Sequence, residues 1–253
     1  MFPNIAIITL DSCRYDTWVK ARTPNLDKFG QPERCYSMGV FTAPTHLALF
    51  QFGFGPVSYE FGSRYYYRDR RLFKIENDWN KDSRAWYELP PDAPNIVKGF
   101  EELGYHTVGI GGVSQFDNRY DVSRCWNQFF DEFYWEVRYN QNNPDALESQ
   151  IMLLRHLGLF QYERVFLFLN SAATHYPYRD GEKSLRGQIA ALEYVDRHLP
   201  EILADLPRPL HLFVFGDHGE CFGERIGNEQ VYGHKIAHQK VMEVGCIDVI
   251  LED

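Results

Sequence analysis

Two strand-like runs in this sequence end on groups that can hold a cation. Asn4 to Leu10 is a continuous β-branched and aliphatic run with Asp11 directly after it, and Leu210 to Phe215 is a second, followed by Gly216-Asp217-His218-Gly219-Glu220. Carboxylates with an imidazole at strand ends suit a divalent metal. Such oxygen and nitrogen donors serve zinc, manganese or iron, and carboxylates also serve magnesium or calcium. Gly216 and Gly219 would let the chain turn sharply around Asp217 and His218. The competing role for a strand-end aspartate is a cap on the next helix.

Three further segments carry reactive groups. In Phe41-Thr42-Ala43-Pro44-Thr45-His46 a hydroxyl stands just ahead of the helical pattern Leu47 to Phe50, where free amides and the helix dipole favour an anion. A threonine hydroxyl becomes a nucleophile only when a metal or base lowers its pKa, so Thr42 must lie against the metal to act. Otherwise Thr42 or Thr45 is a helix cap. The segment Asn170 to Tyr178 places His175 two residues before Pro177, which favours an extended turn. Tyr232 to His238 holds His234 and His238 four apart, a spacing that shares one face if the segment is helical. For each histidine alone, a satisfied or surface role is the alternative.

The elements that must position these groups alternate. After Asn4 to Leu10, strand-like runs recur at His106 to Ile110, Arg164 to Leu169, Leu210 to Phe215 and Val244 to Leu251. Helical patterns lie between them at Asn95 to Leu103, Asp145 to Leu157 and Ser184 to Leu206, the last with Ile189, Leu192, Val195 and Leu199 on one stripe. Alternation of this kind predicts a mostly parallel sheet with helices on both faces, and ligands at the carboxyl ends of the strands. The stretch at about 52–92, with Tyr65 to Tyr67, Arg68, Arg70, Arg71 and two tryptophans, has weak periodicity. It reads as an insertion or lid on a single domain, either a substrate clamp or a solvated face beside aromatic packing.

With 253 residues, 44% hydrophobic and 16% aromatic, the chain can bury a full core. The five cysteines, Cys13, Cys35, Cys125, Cys221 and Cys246, lack a CxxC spacing, which argues against a zinc knuckle or a disulfide framework. A net charge of −9 counts against nucleic-acid partners, yet a bound metal can still draw in an anionic substrate. No run approaches the roughly 18 to 20 apolar residues of a membrane span. The expectation is a soluble, cytoplasmic protein without a membrane partner, of open oligomeric state.

Taken in order, these pieces resemble the alkaline phosphatase superfamily, and within it the sulfatase-like and phosphotransferase-like hydrolases. The resemblance is carried by Asp11-Ser12-Cys13-Arg14-Tyr15-Asp16, Thr23-Pro24-Asn25-Leu26-Asp27, Thr42-Ala43-Pro44-Thr45-His46 and Lys98 to Thr107. His175-Tyr176-Pro177-Tyr178, Tyr194-Val195-Asp196 and Gly216 to Glu220 continue it. It implies a three-layer α/β sandwich with a mostly parallel central sheet, here with a shortened carboxyl-terminal subdomain. It further implies that Asp11, Asp217 and His218 bind a divalent metal (manganese, zinc, magnesium or calcium). Thr42 would be both nucleophile and ligand. His175 and His238 would contact the substrate or a second metal, with His234 the alternative to His238.

The departures from the family pattern narrow the reading. A threonine cannot be converted to the formylglycine of sulfatases, so Thr42 disfavours that activity. Asn170 stands where two-metal members usually carry an aspartate, and Ser12 replaces a second aspartate common in sulfatases. The expected function is metal-dependent hydrolysis or transfer on a small-molecule or peptide-linked phosphate ester. The alternative is a catalytically degenerate member that binds metal or ligand without turnover.

Overall fold

The amino-terminal run forms β1 (Asn4–Leu10), buried at all its positions because both faces are covered. Ala6, Ile8 and Leu10 pack into one core cluster with Leu192, Val195 and Leu199, while Ile5 and Ile7 pack into another with Leu47 and Phe50. Burying one such side chain contributes roughly 1.5–3 kcal/mol. The computed structural model describes residues 2–51, 94–119, 124, 126–179 and 181–252. The aromatic and arginine-rich stretch at about 52–92 lies outside the described residues.

After β1 come α1 (Tyr15–Lys20), β2 (Glu33–Tyr36), α2 (Thr42–Phe50), α3 (Ile96–Glu102), β3 (His106–Ile110), β4 (Glu132–Tyr134), α4 (Ala146–Leu157) and β5 (Val165–Ser171). The chain continues through α5 (Leu185–Ala204), β6 (Leu210–Gly216), β7 (Cys221–Ile226), β8 (Glu229–Gly233), α6 (Gln239–Met242) and β9 (Glu243–Leu251). Side-chain caps start three of the described helices: Asn95 accepts from Lys98 N at 2.8 Å, Ser184 from Gly187 N at 3.1 Å and His238 from Lys240 N at 3.0 Å.

Seven strands form one sheet in the order β2-β9-β6-β1-β5-β3-β4. The β1, β3, β4, β5 and β6 pairings are parallel, and β9 runs antiparallel to both β6 and β2. The last strand thus departs from the parallel reading. Between β6 and β9 the chain makes the β7–β8 hairpin and the four-residue α6, without the helical crossover that a parallel return needs. The motif pair Thr23 to Asp27 and Tyr194 to Asp196 turns out to be one contact. The Asp196 carboxylate accepts from the backbone N–H of Asn25 at 3.1 Å and of Leu26 at 2.8 Å, tying the β1–β2 connection to α5.

Candidate metal centre

Strand register brings the two acidic strand ends together. β1 lies between β5 and β6, with Leu10 opposite both Ser171 and Gly216, so Asp11 and Asp217 are the next residues on adjacent strands at the same level. Asp11, Asp217 and His218 are all 0% exposed. They offer ligand atoms lying within 4.8 Å of one another.

The local backbone is built around this approach. Ser12 adopts a left-handed conformation, φ 61°, which costs a non-glycine residue roughly 1–2 kcal/mol. The geometry lets Ser12 N donate to Asp217 Oδ1 at 2.9 Å while Ser12 O accepts from Gln188 Nε2 of α5 at 2.7 Å. Gly216 and Gly219 serve a different purpose from the expected sharp turn, for neither is among the residues of positive φ. A Cβ on Gly216 would lie 2.3 Å from the Cys13 carbonyl oxygen, and one on Gly219 would lie 2.0 Å from that of Lys240. They are required for close backbone approach.

Thr42 is the first residue of α2, after an extended Phe41. Its Oγ1 is 3.4 Å from Asp11 Oδ2 and 3.4 Å from His218 Nε2. Thr45 Oγ1 instead donates back to Phe41 O at 3.1 Å, and the α2 N-cap has no side-chain cap. Asp11 does not cap α1 either, whose N-cap is Arg14.

The electrostatics fit a cation. Burial, and then the charge of Asp11, push Asp217 well above the usual carboxylate range. Asp217 Oδ1 accepts from the N–H groups of Ser12 and His218, at 2.9 and 2.8 Å, whereas Oδ2 is buried without a hydrogen-bond partner among the described residues. Burial, aided by His234, holds His218 well below its ordinary range, so its ring is neutral. His218 Nδ1 is 2.9 Å from the Gly219 carbonyl oxygen, which makes Nδ1 the donor and leaves the Nε2 lone pair for a ligand. Two buried carboxylates, an imidazole nitrogen and a hydroxyl form a mixed oxygen and nitrogen set suited to zinc or manganese.

The other histidines separate. The His234 ring lies 4.6 Å from that of His218, and the His175 ring 5.7 Å from that of His234. The segment holding His234 and His238 is not one helix. His234 follows β8, whereas His238 is the N-cap of α6 and accepts from Lys240 N at 3.0 Å. Burial lowers the pKa of His238, opposed by Glu224 and supported by Arg14 and Lys240. The structure therefore brings His234 to the Asp11, Thr42, Asp217 and His218 group and gives His238 a backbone-capping task.

From the sequence alone Glu220 and His46 carry no assigned role, and Asn170 marks only a missing aspartate. Glu220, 2% exposed, accepts from His234 Nδ1 at 3.2 Å and pairs with Lys183 at 3.1 Å. Burial would raise its pKa, but His234, His175 and Lys183 hold it at about 2. The hairpin register, Cys221 opposite Gly233, makes this contact by setting Glu220 beside His234. Asn170 acts as a donor, with Nδ2 3.3 Å from Asp11 Oδ2, rather than as an acidic ligand. His46, 0% exposed, lies one helical turn beyond Thr42 among Phe50, Phe116, Trp126 and Phe168. Burial lowers its pKa to about 4, against the Thr42 carbonyl and the Asp11 charge.

No family model matches the chain, and no curated protein matches it. Solved structures do. An alkaline phosphatase superfamily protein from Vibrio parahaemolyticus is similar at TM-score 0.53 and 16% identity, over 97% of this chain and 60% of that one. The integral membrane lipooligosaccharide phosphoethanolamine transferase A from Neisseria meningitidis is similar at TM-score 0.61 and 14% identity, over 96% and 47%. The periplasmic domain of EptC from Escherichia coli, solved in complex with zinc, is similar at TM-score 0.56 and 12% identity, over 97% and 72%. The chain thus spans about half to two thirds of the length of the first two. The chain shares its fold with these structures. No described helix is long and apolar enough to cross a membrane, while the membrane and periplasmic settings of these neighbours lend no support to cytoplasmic placement.

Proposed function

We propose that this chain is a metal-dependent enzyme that cleaves or transfers phosphate esters with Thr42 as its nucleophile. The observation that carries the reading is the position of Thr42 Oγ1, 3.4 Å from both Asp11 Oδ2 and His218 Nε2 in a buried group whose Asp217 Oδ2 has no hydrogen-bond partner among the described residues. A divalent cation held by Asp11, Asp217, His218 and Thr42 would supply Lewis-acid charge stabilisation and lower the pKa of the threonine hydroxyl.

The chain's own groups account for the remaining roles. Thr42 Oγ1–H is directed at Asp11 Oδ2, the acceptor for its proton as Oγ1 attacks phosphorus and the ester oxygen leaves in line. His234, with Nδ1 donating to Glu220, would in its imidazolium form offer Nε2–H to steady a non-bridging oxygen or to protonate the departing alcohol, with His175 beside it. Water or an acceptor alcohol then takes the phosphoryl group from Thr42, which recovers its proton. The neighbour whose name denotes a phosphoethanolamine transferase makes transfer to an alcohol the natural second outcome. The substrate class is a small-molecule or peptide-linked phosphate ester.

The test is turnover of aryl phosphate mono- and diesters with zinc or manganese by wild type, Thr42→Ser and Thr42→Ala. The expected order is wild type, then a slower Thr42→Ser, then an inactive Thr42→Ala, with phosphate on Thr42 seen by mass spectrometry after rapid acid quench. Full activity in Thr42→Ala would overturn the proposal.

A further inference from the structure

Behind the site runs a chain of hydrogen bonds that joins the nucleophile to a metal ligand from the protein side. Thr9 of β1 and Asn170 of β5 are register partners, and both are 0% exposed. Asn170 Nδ2 has two hydrogens and two acceptors in reach: Thr9 Oγ1 at 2.9 Å and Asp11 Oδ2 at 3.3 Å. Asn170 Oδ1 accepts from Val113 N at 3.3 Å. Thr9 Oγ1, having accepted from Asn170, turns its own hydrogen toward His46 Nε2, 3.3 Å away. His46 Nδ1 then donates to the carbonyl oxygen of Thr42 at 2.8 Å.

For a neutral ring the donors and acceptors match in one tautomer only. The Thr42 carbonyl accepts and cannot donate, so Nδ1 of His46 carries the hydrogen. In a neutral ring Nε2 is then the bare acceptor, and the Thr9 hydroxyl, which accepts from Asn170, donates to it. A neutral ring with hydrogen on Nδ1 satisfies each group. The other tautomer would leave Nδ1 facing a carbonyl, two acceptors opposed at a fully buried position. The ring plane is fixed by edge contacts with Phe116 at 5.2 Å and Phe168 at 5.4 Å, so it cannot readily rotate to another arrangement.

We propose that His46 is a positioning residue that, through Thr9 and Asn170, holds the Thr42 turn of α2 in fixed relation to the Asp11 carboxylate. This inference rests on the reading of Thr42 as the nucleophile. The direct 3.4 Å contact between Thr42 Oγ1 and Asp11 Oδ2 is a single link between two side chains. The bonds behind it add a second tie: the Thr42 carbonyl is held by His46 at 2.8 Å, and Asp11 by Asn170 at 3.3 Å. Thr9 is the coupling point, since its hydroxyl is the one group bonded to both His46 and Asn170.

The variant that tests this is Thr9→Val, which keeps a β-branched side chain on β1, touches no proposed ligand and removes only the hydroxyl. Ring-nitrogen NMR on the wild-type protein is expected to show His46 neutral with hydrogen on Nδ1. In Thr9→Val, kcat is expected to fall about tenfold with KM within twofold, the size expected of one broken buried hydrogen bond. A His46 ring protonated on Nε2, or a folded Thr9→Val protein with kcat within twofold of wild type, would overturn the inference. A merely structural role would lower the melting temperature of Thr9→Val and leave kcat alone. A wild-type protein that turns over no ester with zinc or manganese would instead remove the nucleophile reading itself, and the positioning role with it.

Discussion

Asp217 gives one carboxylate oxygen to the backbone N–H of Ser12, at 2.9 Å, and keeps the other buried without a hydrogen-bond partner among the described residues. A buried carboxylate oxygen without a partner is costly, and a cation in contact with it and with Asp11 would remove that cost. Zinc or manganese should therefore raise the melting temperature, by an amount equivalent to about 2.7 kcal/mol at a hundredfold excess over Kd. Asp217→Asn should abolish the rise. Identical melting curves with metal and with chelator would remove the site.

The contact depends on the left-handed backbone of Ser12, φ 61°. Ser12→Val forces a β-branched residue into that conformation and should destabilise the fold by about 2 kcal/mol or more, while Ser12→Gly should cost far less. Urea unfolding of both variants decides the point. Equal losses would mean that the Ser12 hydroxyl, not the backbone, is what counts.

The buried ring of His46 makes stability depend on pH. Its pKa in the fold is about 4, below the ordinary 6.5. The unfolded chain therefore binds the proton first as pH falls. Its contribution is fully present above 6.5 and is lost as pH drops from 6.5 toward 4, on the order of 3 kcal/mol in all. His46→Phe should flatten the stability profile over that window. His218, shifted in the same direction, would keep part of the slope. An unchanged profile would place the acid sensitivity elsewhere.

His234 and His238 should part in their effects. His234→Ala removes the partner of Glu220 beside His218 and should slow turnover at least tenfold, within the range of lost acid–base groups. His238→Ala removes an α6 cap and should cost about 1 kcal/mol of stability with turnover near wild type. Steady-state kinetics with thermal melts separates the two, and the reverse pattern would return the role to His238.

Much of the sheet was legible because a strand covered on both faces must be apolar throughout. β1 and β3 begin and end where their runs of side chains do, and β5 and β6 lie within one or two residues of theirs. β2, β4 and the β7–β8 hairpin were not. β2 is exposed or half-exposed along its length and β4 has three half-buried residues, too short and mixed for a period to register.

The sequence by itself determined the donors: Asp11 and Asp217 at the ends of apolar strands, His218 beside one of them, and Thr42 ahead of a helix. These follow from local order, because a residue just past a buried strand emerges at the sheet end. Only the tertiary structure decided which distant groups meet them. The choice of His234 over His238 as neighbour of His218 comes from hairpin register. The link from His46 through Thr9 to Asn170 comes from strand pairing across 161 positions. Contacts of that kind arise from packing between elements far apart in the chain, and no spacing along the sequence encodes them.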